Sequence, residues 1–355
     1  MRAQHTSDTQ VIIPNMNRRF SGITSTVVQV IPRQAEKLGI ATCGHPLPGD
    51  LPHLSWGQVI RLCQNALPNG KDRIFHARRN NEMLAGLILK WVFRCRLHLI
   101  FTSTAQRKHS RWTRFLYRKM DSLLSTSPRA ASFLLRKPDA IIPHGIDTEA
   151  YQPAPDRASE WKEGGLPGKY GIGIFGRVRP QKGLREFVEA LIQVLPDYPD
   201  HTAVIIGHTT PKYRSFVAEL KELVRLRGLE SRFCWLGKLP FEEIPTWFSR
   251  MSLAVCASHN EGFGLTCLEA MSSGVPVVAT RAGAWEMIIE EGVDGFLIPC
   301  EDSSTMATAI RTALDKGPEA LAQIGSNAHT KVMAEYTAAR EASALNAVYR
   351  GILEE

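Results

Sequence analysis

What the sequence lacks narrows its function before any motif is read. Among its 355 residues no apolar run is long enough to cross a bilayer. A span needs about 20 residues, and the longest apolar stretch near the N-terminus, Met83 to Val92, is interrupted by Gly86 and Lys90. No signal peptide is expected, because residues 1–10 are polar and no small-residue cleavage site follows an apolar core. The seven cysteines never fall at Cys-x-x-Cys spacing. That speaks against a zinc site or a redox pair and for reduced thiols in a cytoplasmic protein. Asp-x-Asp is absent, as are internal repeats and low-complexity tracts. No zinc finger and no aromatic-interleaved RNA motif is present, so nucleic acid is the weakest class of partner.

What is present is the composition of a soluble globular protein, 44% hydrophobic and 22% charged. The length suits two domains of ordinary size. The net charge of +8 is unevenly spread. Residues 1–150 hold 22 Lys+Arg against 9 Asp+Glu, a balance of +13, whereas residues 151–355 carry −5. A basic half attracts anionic partners, here an anionic lipid surface or an acidic glycolipid.

Strands and helices alternate along the chain, which argues for parallel sheets covered on both faces. Val11 to Ile13 reads as a strand, Pro14 to Ser21 as a basic loop, and Gly22 as the start of a helix reaching about Lys37. Gly22 either lets backbone approach a phosphate or makes a plain strand–helix turn. Cys43 to His53, rich in Pro and Gly, reads as an irregular loop. Asp72 to His76 reads as a strand ending in a histidine, with Arg78 and Arg79 next and a helix from Glu82. Ligands of parallel sheets bind at the carboxyl ends of strands. His76 is therefore a site candidate, and the two arginines are candidates for holding an anionic acceptor. Gln106 to Lys119 can form a helix that mixes Arg107, Lys108, Arg111 and Arg114 with Trp112, Phe115 and Tyr117. It suits an anionic membrane or a charged sugar, or else it is a solvated helix with its aromatics turned inward. Residues 153–169, rich in Pro, Gly and charge, are expected to link a domain at 1–152 to one at 170–336.

Two stretches of the second half carry chemistry. Ser258 to Thr280, SHNEGFGLTCLEAMSSGVPVVAT, reads as loop, helix, turn and strand. The loop delivers a helix N-terminus, where free N–H groups and the helix dipole favour an anion. Glu261 precedes that helix, and Glu269 lies one turn inside it, on the same side as the N-terminus. Ionised carboxylates only accept hydrogen bonds, so they suit hydroxyls. The stretch thus describes a site for a phosphorylated, hydroxyl-rich ligand. About 85 residues earlier, Arg177 and Lys182 flank a proline-containing loop that runs from Gly176 to Gly183 ahead of another helix. Two cations beside a helix N-terminus suit a diphosphate. Gly171, Gly173 and Gly176 match G-x-G-x-x-G, but the first two fall inside the predicted strand, where a dinucleotide fingerprint does not belong.

The string EGFGLTCLEAMSSGVPVVAT resembles the donor-site motif of family 4 glycosyltransferases, retaining sugar-nucleotide enzymes of the GT-B fold. The Gly176–Gly183 loop is similar to the Gly-Arg…Lys-Gly loop of the same family. The resemblance covers Tyr170 to Pro299 strongly. It covers the first half weakly, through Gly22, His76 and Pro143-His144-Gly145-Ile146-Asp147. It implies an α/β protein with two Rossmann-like domains facing each other across a cleft. The first would bind the acceptor, the second the nucleotide sugar, and the last helix, 337–355, would pack back on the first. By the same resemblance Glu269 takes ribose hydroxyls. Glu261 and the amides of Gly262, Phe263, Gly264 and Leu265 take the sugar and diphosphate. Arg177 and Lys182 bind the departing phosphate, Gly22 lies beside the donor, and His76 touches the transferred sugar. The two cations would replace the metal that an Asp-x-Asp holds in the other common fold. No metal is therefore expected, and no cofactor besides the nucleotide sugar.

The overall sequence looks like the lipopolysaccharide core mannosyltransferases. That implies transfer of mannose from GDP-mannose to the inner Kdo of a lipid A precursor, by a protein peripheral on the inner face of the cytoplasmic membrane. A UDP-sugar enzyme of another envelope glycan is the rival. Of different class are a nucleotide-dependent dehydrogenase or epimerase, which needs a glycine turn this sequence lacks, and a non-catalytic sugar-nucleotide binding module. The latter is disfavoured because Arg177, Lys182, Glu261 and Glu269 are all present.

Overall fold

Short aliphatic runs separated by helices build two parallel sheets. The computed structural model describes residues 8–18, 22–49 and 51–354. The chain divides into unit 1 (Met1–Gly145 with Tyr336–Glu355) and unit 2 (Ile146–Glu335). Residues 1–7, where no leader is expected, and residues 19–21 of the basic loop lie outside the described residues.

Unit 1 runs β1 (Val11–Asn15), α1 (Gly22–Ala35), β2 (Ile40–Gly44), β3 (His53–Leu54), α2 (Trp56–Cys63), β4 (Arg73–Ala77), α3 (Asn80–Trp91), β5 (Leu97–Ser103), α4 (Arg111–Tyr117), β6 (Ser122–Ser125), α5 (Pro128–Ala131) and β7 (Ala140–Ile141). Its seven strands lie in the order β3-β2-β1-β4-β5-β6-β7, all parallel. Successive strand residues point to opposite faces. Ile12, Phe75 and Leu99 therefore join one core with Leu87 of α3 and Leu116 of α4. Val11, Ile13, Ile74 and Ile100 join the other, with Val30 and Ile31 of α1. Strand β2 extends into the region expected as an irregular loop from Cys43. Cys43 is fully buried and pairs in register with Pro14, so packing outweighs the Pro/Gly-rich composition around it.

Unit 2 runs α6 (Arg157–Glu163), β8 (Tyr170–Phe175), α7 (Leu184–Val194), β9 (His201–Ile206), α8 (Arg214–Arg225), β10 (Phe233–Gly237), α9 (Ile244–Arg250), β11 (Met251–Cys256), α10 (Leu265–Ser272), β12 (Val277–Thr280), α11 (Trp285–Ile288), β13 (Gly295–Ile298), α12 (Ser303–Leu314) and α13 (Pro318–Glu335). The six strands lie in the order β10-β9-β8-β11-β12-β13, again parallel. The chain then returns to unit 1 as α14 (Ala338–Glu354), which buries Leu345, Tyr349 and Leu353 there.

The stretch 153–169, expected as a linker, belongs to unit 2 and holds α6. Asp156 caps that helix by accepting from the Ala158 and Ser159 amides. Trp161 is 2% exposed, and its ring lies 2.3 Å from where a Cβ on Gly171 would stand. Gly173 makes the same room for Met251. Gly171 and Gly173 thus serve side-chain packing inside β8, not phosphate binding.

Each sheet reverses its strand order once, between β1 and β4 and between β8 and β11. At such a point the loops leaving neighbouring strands diverge and open a crevice at the carboxyl ends. In unit 2 those loops are 176–183 and 257–264. They are the stretches the sequence motifs occupy.

Candidate functional site

The loop after β8 is anchored before it reaches the crevice. The Gly176 amide donates to the Ile206 carbonyl (2.9 Å) and the Val178 amide to that of His208 (3.1 Å). Pro180–Lys182 forms a single 3₁₀ turn that ends at Gly183, φ 71°. A Cβ at Gly183 would stand 2.0 Å from the Ala257 carbonyl oxygen. Only glycine meets both the left-handed backbone and the close approach. This contact sets the loop against the end of β11 and directs Lys182 to the second loop, where its ammonium pairs with Glu261 Oε1. Ser258 Oγ donates to the same oxygen at 2.9 Å. Arg177 is exposed on the first loop.

The second loop is held from behind. Gly264, φ 92°, caps α10. Trp285 Nε1 donates to the Gly264 carbonyl at 2.8 Å, and the Ala284 amide donates to that of Phe263 at 3.0 Å. Gly262, Phe263, Gly264 and Leu265 thus lie at or just before the positive end of α10, where helix amides lack partners within the helix. His259 ties the two loops together. Its amide donates to the Gln181 carbonyl (3.0 Å), and its Nε2 lies 2.9 Å from Glu186 Oε1 on α7.

Glu269 follows one turn into α10 and accepts from the Tyr151 hydroxyl at 3.3 Å. It borders a cavity of about 230 Å³ whose walls include Phe175, Gly176, His208, Lys238 and Thr266. Phe175 is stacked on Phe248 with ring centroids 3.7 Å apart, which gives the cavity a flat aromatic wall. Burial pushes the Glu269 carboxyl from its ordinary 4.5 up to about 7. The Tyr151 hydrogen bond and the Lys182 charge oppose the rise, and the Glu261 charge adds to it. Burial also pushes the Tyr151 hydroxyl far up, so it remains a donor. The crevice therefore offers a slot for a flat ring, a carboxylate beside it, and a lysine with a helix N-terminus further along. A larger cavity of about 360 Å³ lies by Lys169, Tyr170 and His201. It sits at the amino ends of β8 and β9, away from the motif residues.

Unit 1 corrects two expectations. His76 sits on the same side of β4 as Ile74, so it faces α14 and is 0% exposed. Its Nδ1 lies 2.6 Å from the Tyr349 hydroxyl and its Nε2 2.6 Å from Thr102 Oγ1. Burial, and then the Arg78 charge, hold it well below the usual imidazole range. A neutral ring with both nitrogens engaged has nothing left for a sugar, so His76 is a core residue. Arg79 is likewise spent on the fold. Its Nη1 pairs with Glu82 (2.6 Å) and its Nη2 donates to Thr24 (3.2 Å). Glu82, 1% exposed, also accepts from the Arg78 amide at 2.8 Å, which fastens the start of α3.

Arg78 differs from Arg79. Its Nη1 is buried and without a hydrogen-bond partner among the described residues. It borders a small hollow with Thr126 and His144, at the carboxyl ends of the strands. Gly22 is the exposed first residue of α1, and no atom of the described residues comes within 4 Å of where its Cβ would stand. In the basic stretch only Arg111–Tyr117 is helical, because Ser110 caps it by accepting from the Thr113 amide (3.1 Å). Arg107, Lys108 and Arg111 are exposed, and Arg114 Nε donates to the His109 carbonyl (3.0 Å). Tyr117 turns inward, whereas Trp112 and Phe115 turn outward.

Sequence reading passed over Tyr151, Trp285, Ser258 and Glu82. Trp285 had a signal: it comes two residues after Gly283, in the turn that leads from β12 into α11. Tyr151 had none, since Glu269 is 118 residues away.

The Glycosyl transferases group 1 family matches residues 169–316, which include both loops. The lipopolysaccharide core biosynthesis mannosyltransferase LpcC of Rhizobium leguminosarum bv. viciae is 43% identical over 98% of this chain and 97% of its own length. LpsB of Rhizobium meliloti (strain 1021), of the same description, is 40% identical over 98% of both chains. The Anabaena protein HepE, solved with UDP, has a TM-score of 0.82 over 97% of this chain and 100% of its own, at 20% identity. That likeness shows a shared fold, the GT-B fold.

Proposed function

Because this chain belongs to the group 1 glycosyl transferases, we propose that it moves mannose from GDP-mannose to a lipid-linked anionic acceptor such as the inner Kdo of a lipopolysaccharide core precursor. The observation that carries the reading is the meeting of Lys182, Glu261 and Glu269 around the N-terminus of α10, beside a cavity sized for a ring. The descriptions of LpcC and LpsB support mannose and the core acceptor.

In this reading the base lies against Phe175 and Thr266, and Glu269 takes the ribose hydroxyls. The diphosphate reaches the amides of Gly262 to Leu265 and the two cations, Arg177 and Lys182. Lys182 exchanges Glu261 for phosphate oxygens, which frees Glu261 to accept from the sugar hydroxyls. The acceptor hydroxyl attacks the anomeric carbon from the face the diphosphate leaves. The bond from that carbon to the phosphate oxygen breaks as the glycosidic bond forms, and the leaving phosphate takes the acceptor proton. Configuration is retained. Aimed charges of this kind are worth about 3–4 kcal/mol each in a transition state. Arg177 and Lys182 supply them without a metal. Arg78, with an unspent buried nitrogen, suits the acceptor carboxylate. The enzyme works at the inner face of the cytoplasmic membrane, where a lipid-borne acceptor and a soluble donor meet.

The test is nucleotide release in EDTA from GDP-mannose, UDP-glucose, UDP-galactose, UDP-N-acetylglucosamine and ADP-heptose, with and without Kdo-lipid A. GDP release from GDP-mannose alone, accelerated by the acceptor, is expected. Release from a UDP-sugar instead refutes mannose and leaves the family standing. Inertness of every donor with acceptor present refutes donor and acceptor together.

A further inference from the structure

One irregularity of the unit 2 sheet bears on a single residue. In β10, Trp235 pairs with Ile205 and Gly237 with Ile206, so Leu236 is an extra residue in the ladder. A bulge of this kind breaks the pairing and re-aims the chain that follows. Gly237 takes the left-handed backbone, φ 70°, which glycine enters without steric cost. Its carbonyl accepts from the Gly207 amide at 2.7 Å. The turn is thereby fixed to the end of β9, and Lys238 emerges from it onto the wall of the cavity of about 230 Å³ beside Glu269.

Lys238 is exposed, and its ammonium has no ion pair and no hydrogen bond among the described residues. Among the described residues that wall the cavity it is the one Lys or Arg, and Glu269 is the one acid. Strand β10 lies two strands away from β8. Lys238 therefore leaves the sheet about 10 Å to the side of the loop that carries Lys182. A nucleotide with its diphosphate at the β8–β11 crevice and its ribose on Glu269 has only its base left to reach Lys238. The Phe175 ring, stacked on Phe248, gives that base a flat wall.

The chemistry of an ammonium narrows which base. It donates hydrogen bonds and accepts none, so it suits a base edge that carries acceptors side by side. Guanine presents O6 and N7 in this way, and lysine is a common partner of that edge. Adenine sets an amino donor beside its N7, and uracil sets an N–H beside its O4.

We propose that Lys238 selects the base of the donor by donating to O6 and N7 of guanine. This deepens the reading of a GDP-sugar donor and rests on it. It assigns the choice between GDP and UDP to a side chain outside both motif loops.

The test is isothermal titration of the full chain with GDP, 7-deaza-GDP, UDP and pyrophosphate, in the parent and in Lys238→Met and Lys238→Arg. The parent should bind GDP at least about tenfold more tightly than UDP or 7-deaza-GDP, which lacks N7. Lys238→Met keeps the length of the side chain and loses its charge. It should lose about tenfold in GDP affinity, bind GDP and 7-deaza-GDP alike, and hold pyrophosphate as the parent does. Lys238→Arg supplies donors to the same two atoms and should keep the preference for GDP. The residue is exposed, so urea unfolding of both variants should match the parent. A parent that prefers UDP overturns the GDP-sugar reading and this proposal with it. A preference for GDP that survives intact in Lys238→Met overturns the proposal alone and leaves the donor reading standing. Equal binding of GDP and 7-deaza-GDP by the parent also overturns it. So does an equal loss for GDP, UDP and pyrophosphate in Lys238→Met, which would make Lys238 a phosphate contact.

Discussion

With Glu269 on the ribose as proposed, its raised pKa makes donor affinity a function of pH. Its rise from 4.5 to about 7 in the free protein corresponds to about 3 kcal/mol held against the charged form. The sign follows from protons. Between about 4.5 and 7 the folded state keeps a proton that the unfolded chain has lost, so this group lowers stability as pH climbs through that window. In the proposed reading ribose hydroxyls donate to the ionised carboxylate, so donor binding draws the proton off. GDP affinity should therefore be full above about pH 8 and fall about tenfold for each unit below about pH 7. At about pH 6 close to one proton should leave per nucleotide bound. Isothermal titration in buffers of different ionisation enthalpy measures both quantities. The terminal phosphate of GDP also titrates near this range, so the comparison is with Glu269→Gln, which shares that contribution. The variant should bind weakly and lose the extra slope. An identical slope in parent and variant, or parent affinity that is flat from about pH 6 to 8, refutes the assignment of Glu269 to the ribose.

Lys182→Ala removes the cation that meets Glu261 and should lower kcat about 10²–10³-fold in steady-state assays; a near-normal rate would remove Lys182 from the leaving group. Gly264→Ala places a Cβ 2.3 Å from Trp285 Nε1 at φ 92°, so urea unfolding should show a loss of about 1–3 kcal/mol and titration a weaker donor. Unchanged values for both would show that the loop needs no glycine. Tyr349→Phe takes a hydrogen bond from the buried His76 ring. It should cost about 1–3 kcal/mol of stability and leave donor KM alone. A shift in KM without a loss of stability would return His76 to the sugar.

The meeting of the two motif loops was legible because their residues are local in sequence. Glu261, the Gly262–Leu265 turn and Glu269 lie on one loop and one helix, and the Arg177–Lys182 loop has its own punctuation of glycine and proline. Alternating apolar runs announced both sheets for the same reason. What failed depends on partners far along the chain. A histidine at a strand's carboxyl end looks like a ligand-facing residue until β4 is seen to run on to Ala77 and to turn His76 toward α14. Its partner Tyr349 is 273 residues away. The stretch 153–169 has a linker's composition, and only the fit of Trp161 over Gly171 makes it part of a core. Arg79 looked free for an acceptor because its use by Glu82 and Thr24 is a tertiary fact.

Helix α14 inverts the order in which this enzyme is finished. Translation makes every strand of unit 1 first, yet Leu345, Tyr349 and Leu353, which complete the core around Val11, Ile13 and Ile74, are made only after unit 2. Unit 2 is contiguous, residues 146–335, and can close its core while unit 1 still waits for its lid. Through that interval His76 lacks its tyrosine and Gln34 lacks Asn346, its partner at 3.1 Å, and an apolar face stays open to solvent. Nascent chains in this state are aggregation-prone. A stop codon just before α14 would thus spare every residue proposed to bind the donor and still leave a protein that chaperones hold and proteases remove.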